Sequence, residues 1–175
     1  MIKKEITEKV LHDAEKKRSE MPDNFNNSIL SGKGTLSGCI GEVVVYNYLK
    51  ERIEDTELIH DYNYDVMSGG AKIEVKTKKC SSAPKPYYEC SVSNYNSTQA
   101  CDYYFFTRVT NDDCYLLGYL PREEFIAKAD FKKKGDTDSN MVGGKAFTFH
   151  CDCYNIPISK LKTIDNFYGE MIDHK

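Results

Sequence analysis

Residues 64–76, Tyr64-Asp65-Val66-Met67-Ser68-Gly69-Gly70-Ala71-Lys72-Ile73-Glu74-Val75-Lys76, constrain the fold more tightly than any other segment. Two adjacent glycines supply the positive-φ pair that a two-residue β-hairpin turn needs. A turn at Gly69-Gly70 pairs Ser68 with Ala71, Met67 with Lys72 and Val66 with Ile73. A slip of one residue would move every side chain to the wrong face. In that register Asp65 stands opposite Glu74, with the two Cβ atoms roughly 5 Å apart on one face. Like charges so placed repel unless a divalent cation lies between them. The side-chain period of two adds Lys76 to the face of Glu74 and sends Ile73, Val75 and Thr77 to the other. The hairpin reads as half of a metal site with an ammonium beside it.

Upstream, the segment from Ser37 to Ile53 predicts a helix capped by Ser37, with apolar residues at 40, 43, 44, 48 and 49 seeking a core. Gly38, Gly41 and a β-branched run would serve an isolated helix badly, so packing against a sheet must hold it. Glu42 sits there among apolar neighbours, either at the rim of the buried face or directed at the hairpin carboxylates. Downstream, Tyr87 to Ser93 predicts a third strand and residues 94–101 a polar turn leading into a short helix. Asp102 to Val109, aromatic and β-branched, predicts a fourth strand buried on at least one face.

Asp65 followed by Glu74-Val75-Lys76 resembles the signature of the PD-(D/E)XK, or restriction-endonuclease-like, nuclease superfamily. The literal proline is absent, and Tyr64 takes its place. The order helix, three strands, helix, strand over residues 35–110 is similar to that family's αβββαβ core. The resemblance implies an α/β (α+β) fold with a mixed central sheet flanked by helices. It further implies that Asp65 and Glu74 bind Mg²⁺, with Mn²⁺ able to substitute, that the Val75 main-chain carbonyl joins them, and that Lys76 assists the attacking water. Gly41-Glu42 is similar to the helix-borne acid that many members add to the metal site. Gln99-x-x-x-Tyr103 resembles an element of the exonuclease branch.

A chain of 175 residues, 40% hydrophobic and 29% charged, suits one domain with one real core. Within it, residues 1–34 are expected as an N-terminal helical extension whose surface helix ends near Pro22, 35–110 as the core, and 111–175 as further strands and helices. Those include a strand at Tyr115 to Leu120, a helix from Pro121 to about Ala129, a mobile loop at 130–144, a strand from Phe147 to Tyr154 and a short helix from Pro157. No stretch approaches a membrane span. Seven cysteines, an odd number at irregular spacing without a secretion signal, imply free thiols in a reducing, cytoplasmic setting. His150-Cys151-x-Cys153 invites a zinc reading, but the alternation Phe147, Phe149, Cys151, Cys153 fits a core strand better, and no second cysteine pair stands at zinc spacing.

A net charge of −3 is the main objection to a nucleic-acid partner. Against it, Lys72, Lys76, Lys78, Lys79 and Lys85 cluster on and after the hairpin, and Lys132 to Lys134 form a second cationic run. The expected function is a Mg²⁺-dependent deoxyribonuclease, an endonuclease by preference, with Asp65, Glu74, Lys76 and Glu42 catalytic. Lys78, Lys79, Lys85 and Gln99 are expected to contact DNA. Cutting both strands makes a homodimer plausible. The competing expectation is a catalytically inactive nucleic-acid-binding or assembly protein of the same fold.

Overall fold

The computed structural model describes residues 1–20, 36–138 and 147–173. Along them run β1 (Ile2–Glu5), α1 (Glu8–Glu20), α2 (Leu36–Lys50), β2 (Thr56–Leu58), β3 (Val66–Ser68), β4 (Ala71–Lys79), β5 (Glu89–Ser93), β6 (Tyr103–Val109) and β7 (Asp113–Pro121). There follow α3 (Arg122–Lys128), β8 (Asp130–Lys132), β9 (Thr137–Asp138), β10 (Phe147–Thr148), β11 (Cys153–Pro157) and α4 (Ile164–Asp173), with single 3₁₀ turns at Asn96–Thr98 and Ile158–Lys160. No described helix is long and apolar enough to cross a membrane.

The protein is mixed α/β. A six-stranded sheet has the order β1-β7-β6-β4-β3-β2, antiparallel except where β4 and β6 run parallel. The Gly69-Gly70 turn, with φ of 57° and 87°, sets Ser68 against Ala71, Met67 against Lys72 and Val66 against Ile73, the register that the glycine pair demands. The aromatic run on β6 is buried on both faces because the sheet is covered on both. Phe105 points toward α2 and α4, stacking on Tyr119 and meeting Phe167 edge-on. Tyr104 and Phe106 point the other way, against Phe125 of α3, into a second core shared with the small sheet β5-β11-β8.

α2 lies close against the main sheet because Gly41 allows it. A Cβ at position 41 would stand 2.1 Å from Thr77 Oγ1 and 2.6 Å from Thr107 Oγ1, and those two hydroxyls hydrogen-bond each other at 2.8 Å across the parallel pair β4–β6. Gly41→Ala should therefore cost about 1–3 kcal/mol from overpacking, less up to about 1 kcal/mol for the better helix former. A fall of a few degrees in Tm, at roughly 2–4 °C per kcal/mol for a chain of this size, is the expected result in a thermal melt. A rise in Tm would mean the helix is not held this tightly.

Several expectations are corrected. Residues 2–5 form a strand on the free edge of β7, not the start of a helix. The alternating burial of Ile2-Lys3-Lys4-Glu5 suits that edge, and Lys3 pairs with Asp113 at 2.9 Å. Pro22, the expected end of the first helix, lies outside the described residues. Ser37 is inside α2, which already runs at Leu36 and stops at Lys50 rather than Ile53, where the chain turns through backbone bonds to Leu49. The third strand of the antiparallel set is β2, which pairs β3. The strand expected at Tyr87 to Ser93 is present as β5 but belongs to the small sheet. The helix expected at 94–101 shrinks to one 3₁₀ turn, since Ser97 and Thr98 turn their hydroxyls back on the Asn94 and Tyr95 carbonyls. Of the loop expected at 130–144, residues 130–132 and 137–138 are strands and 139–146 lie outside the described residues. The strand expected from Phe147 to Tyr154 is broken in two, with Asp152 accepting from the Lys134 amide and lending its carbonyl to Asn94.

Candidate active site

β4 has nine residues and β3 only three, so β4 outruns its partner and leaves a stretch of edge open. Asp65 stands where β3 would have continued. Its amide donates to the Ile73 carbonyl at 2.9 Å, its own carbonyl accepts from Ile59 at 2.8 Å, and its Oδ2 accepts from the Val75 amide at 2.8 Å. The carboxylate thus takes the backbone donor that another strand residue would have used. Backbone groups alternate sides along a strand, so the Ile73 carbonyl and Val75 amide on this edge put the Val75 carbonyl there too. The regular ladder ends at Val66–Ile73, and Asp65 lies at the sheet edge rather than directly across from Glu74 on one face.

Glu74 and Lys76 project from β4 as neighbours. Lys76 Nζ donates to Glu74 Oε1 at 2.6 Å and to Gln99 Oε1 at 2.9 Å, while Gln99 Nε2 donates to Glu74 Oε1 at 3.0 Å and to the Tyr62 carbonyl. One orientation of the Gln99 amide satisfies all of these bonds; the flipped one would set its NH₂ against the ammonium. From the helix layer, α2 brings Glu42. From α1 comes a residue that sequence reasoning missed: Lys17 Nζ lies 3.2 Å from Glu42 Oε2 and donates to the Ile59 carbonyl at 2.5 Å. Its signal was present in the sequence. Val10, Ala14 and Lys17 share the buried stripe of α1, and a lysine on an apolar stripe needs an anionic partner.

Five of the six side chains are buried, with Lys17 2% exposed, Gln99 4%, Glu42 and Glu74 7% each and Asp65 9%, and Lys76 is half-buried. Burial raises the pKa of all three acids. It pushes Glu42 and Glu74 up to about 8, with the charge of Asp65 as the next cause in each case. Asp65 is raised by burial against the opposing pull of Lys17 and of the Val75 amide, and it also has a hydrogen-bonding contact with the Glu74 carboxyl. Three buried carboxyls with raised pKa, two of them raised further by the charge of the third, form the kind of cluster in which functional sites are found.

The donors are all oxygens, as a hard divalent cation requires. Glu42 Oε2 is buried, and the Lys17 ammonium 3.2 Å away meets it as an ion pair without good hydrogen-bond geometry, so the carboxylate is not saturated. The residues present therefore suit such an ion. As the side chains stand, no set of three or more Asp, Glu, His or Cys among the described residues is arranged to hold one, and Lys76 occupies Glu74 Oε1.

Other expected contacts fall elsewhere. Gln99 is interior and braces Lys76 and Glu74, so it offers no surface to DNA. Lys78 is exposed but spends its ammonium on the Ser91 hydroxyl at 2.7 Å and the Glu89 carbonyl at 3.1 Å, and partial desolvation followed by nearby Arg108 lowers its pKa. Lys79 and Lys85 are exposed, Lys85 with its ammonium 5.8 Å from the Tyr87 ring centre. His150 is exposed, and Cys153 is buried with its sulfur accepting from Asn155 Nδ2 at 3.2 Å. All seven cysteines are free, and burial pushes the thiols of Cys39, Cys90, Cys101 and Cys114 up to about 12, too high for nucleophiles at neutral pH. No protein-family model, curated protein or solved structure matches this chain, which leaves the cluster around Asp65 as the ground for any conclusion about function.

Proposed function

We propose that the protein is a metal-dependent DNA nuclease of restriction-endonuclease-like type. The observation that carries this reading is the convergence of Asp65, Glu74, Lys76 and Glu42 at the open edge of β4. The order α2, β2-β3-β4 and then a parallel β6 is similar to an αβββαβ core in which a 3₁₀ turn and β5 replace the second helix. Asp65, Glu74, Glu42 and the Val75 carbonyl would hold Mg²⁺ or Mn²⁺. That ion, when bound, supplies a Lewis acid for the phosphate and a lowered pKa for a water.

The protein's own groups do the remaining work. Of the three Lys76 protons, two go to Glu74 and Gln99, which leaves one for a water or a phosphate oxygen. Held from two sides, the ammonium is already placed where charge develops as water attacks phosphorus, so it stabilises the transition state without first reorganising. Gln99 fixes that position through its bond to the Tyr62 carbonyl. The Asp65–Val75 bond holds the first carboxylate against the strand that carries the second.

The Lys76–Glu74 ion pair also favours a second reading, a nucleic-acid-binding or assembly protein in which the ammonium permanently replaces the cation. Incubation with linear, circular, branched and single-stranded DNA, with and without Mg²⁺ or Mn²⁺, separates the two. Cleavage that appears with the metal and vanishes on chelation supports the nuclease. Folded protein that cuts none of the panel in either metal overturns it.

A further inference from the structure

We propose that Lys17 is a built-in cation standing where a second metal ion would otherwise sit, so that this site takes a single divalent ion. The proposal rests on the metal-dependent reading above. Two-metal phosphodiesterases share carboxylates between ions roughly 3.5–4 Å apart. Here the carboxylate farthest from β4 as the sequence runs, Glu42 on α2, faces an ammonium at 3.2 Å instead. That ammonium comes from another helix, α1, and is 2% exposed. Burying an ammonium costs several kcal/mol, and a leucine or methionine on the Val10–Ala14 stripe would have packed α1 without that penalty.

Its position is doubly fixed. Lys17 donates to the Ile59 carbonyl, and the Ile59 amide donates to the Asp65 carbonyl, so the ammonium is tied through one residue to the backbone of the central acid. Yet Glu42 Oε2 still lacks a hydrogen bond. Lys17 therefore balances the charge of Glu42 without saturating its carboxylate. The charges agree. Once a metal has displaced their protons, three carboxylates against Lys17 and Lys76 leave a single negative charge, which one divalent cation and one phosphodiester bring to neutrality, whereas two divalent cations would leave the site with a net charge of plus two.

Mn²⁺ titration followed by electron paramagnetic resonance of the free ion, on DNA-free wild-type protein and on Lys17→Met, tests this without reference to cleavage. One equivalent bound by wild type and two by Lys17→Met is the expected result. Two equivalents on wild type overturn the proposal with no variant needed, and so does an unchanged single equivalent in folded Lys17→Met, which would make Lys17 only a packing residue. If Lys17→Met does not fold, Lys17→Gln is titrated in its place. Its shorter, neutral side chain should likewise admit the second ion, and one equivalent in that variant counts against the proposal. In either of these failures, metal-dependent cleavage by the wild type would leave the nuclease reading intact. No Mn²⁺ bound by wild type at all would remove the metal site and this inference together.

Discussion

Asp65→Asn, Glu74→Gln and Lys76→Ala should each leave a folded protein whose DNA cleavage has fallen by roughly 10²–10⁴-fold. The three substitutions reach that loss by different routes, and the differences make the test specific. Asn at 65 still offers an oxygen to the Val75 amide, and Gln at 74 still offers one to Lys76 and Gln99, so the local scaffold survives while ligand charge is lost. In those two variants DNA binding in the absence of metal should hold or rise, because a carboxylate that repels phosphate has gone. Lys76→Ala keeps the acids and should keep the metal, losing turnover instead. Gln99→Ala removes the brace on Lys76 and should cost about 10–100-fold, the usual size of a supporting contact to a metal site. Cleavage assays over one metal and substrate panel, beside circular dichroism for folding and Mn²⁺ binding for the metal site, read out all four variants. Equal cleavage by wild type and Lys76→Ala would place the activity in another site or in a contaminant.

How much of this was legible in the chain follows from which interactions are local. The hairpin was, because Gly69-Gly70 fixes register by backbone conformation alone and carries along the pairs from Ser68–Ala71 to Val66–Ile73. The helix bearing Glu42 was, because packing against a sheet explains its glycines and its β-branched run together. The position of Asp65 was legible only in part. Pairing arithmetic placed it opposite Glu74, whereas its amide reaches the Ile73 carbonyl, already opposite Val66, so the register slips by one residue there and the carboxylate takes the Val75 amide. Gln99 was misjudged as a surface contact, and Lys17 was passed over although it continues the apolar stripe of Val10 and Ala14. Each is polar and lies far along the chain from the hairpin, so neither partner can be read from its own neighbours. Only tertiary folding buries them, with Lys17 reaching Glu42 across α1 and α2 and Gln99 reaching Tyr62 and Glu74 after the crossover. β2 was missed because three residues carry too little periodicity to stand out, and its partner β3 is what makes it a strand.

The second large effect is on stability, and it runs opposite to that of most acidic residues. Glu42 and Glu74, ordinarily near 4.5, are pushed up to about 8 by burial and by Asp65. A group whose pKa is higher in the folded than in the unfolded state holds protons on folding between those two values, so each contributes stability at low pH that is lost as pH rises toward about 8. His60 works the other way. Burial, then Lys17, lowers its pKa, and what it contributes is lost only as pH falls below about 6.5. Between pH 6.5 and 8 the buried acids therefore dominate, and the Tm of metal-free protein should fall across that window by roughly 2–4 °C for each kcal/mol lost. Mg²⁺ at pH 8 should restore it, since an ion at about 100 times its Kd that binds only the folded state contributes about 2.7 kcal/mol. Glu42→Gln, which has no proton to lose, should flatten the slope. Differential scanning calorimetry in chelator-treated buffers at pH 6.5, 7.2 and 8 gives the answer. A Tm that stays level or rises with pH in wild type would show that Lys17 and Lys76 already hold the acids ionised, and the metal would then have far less to stabilise.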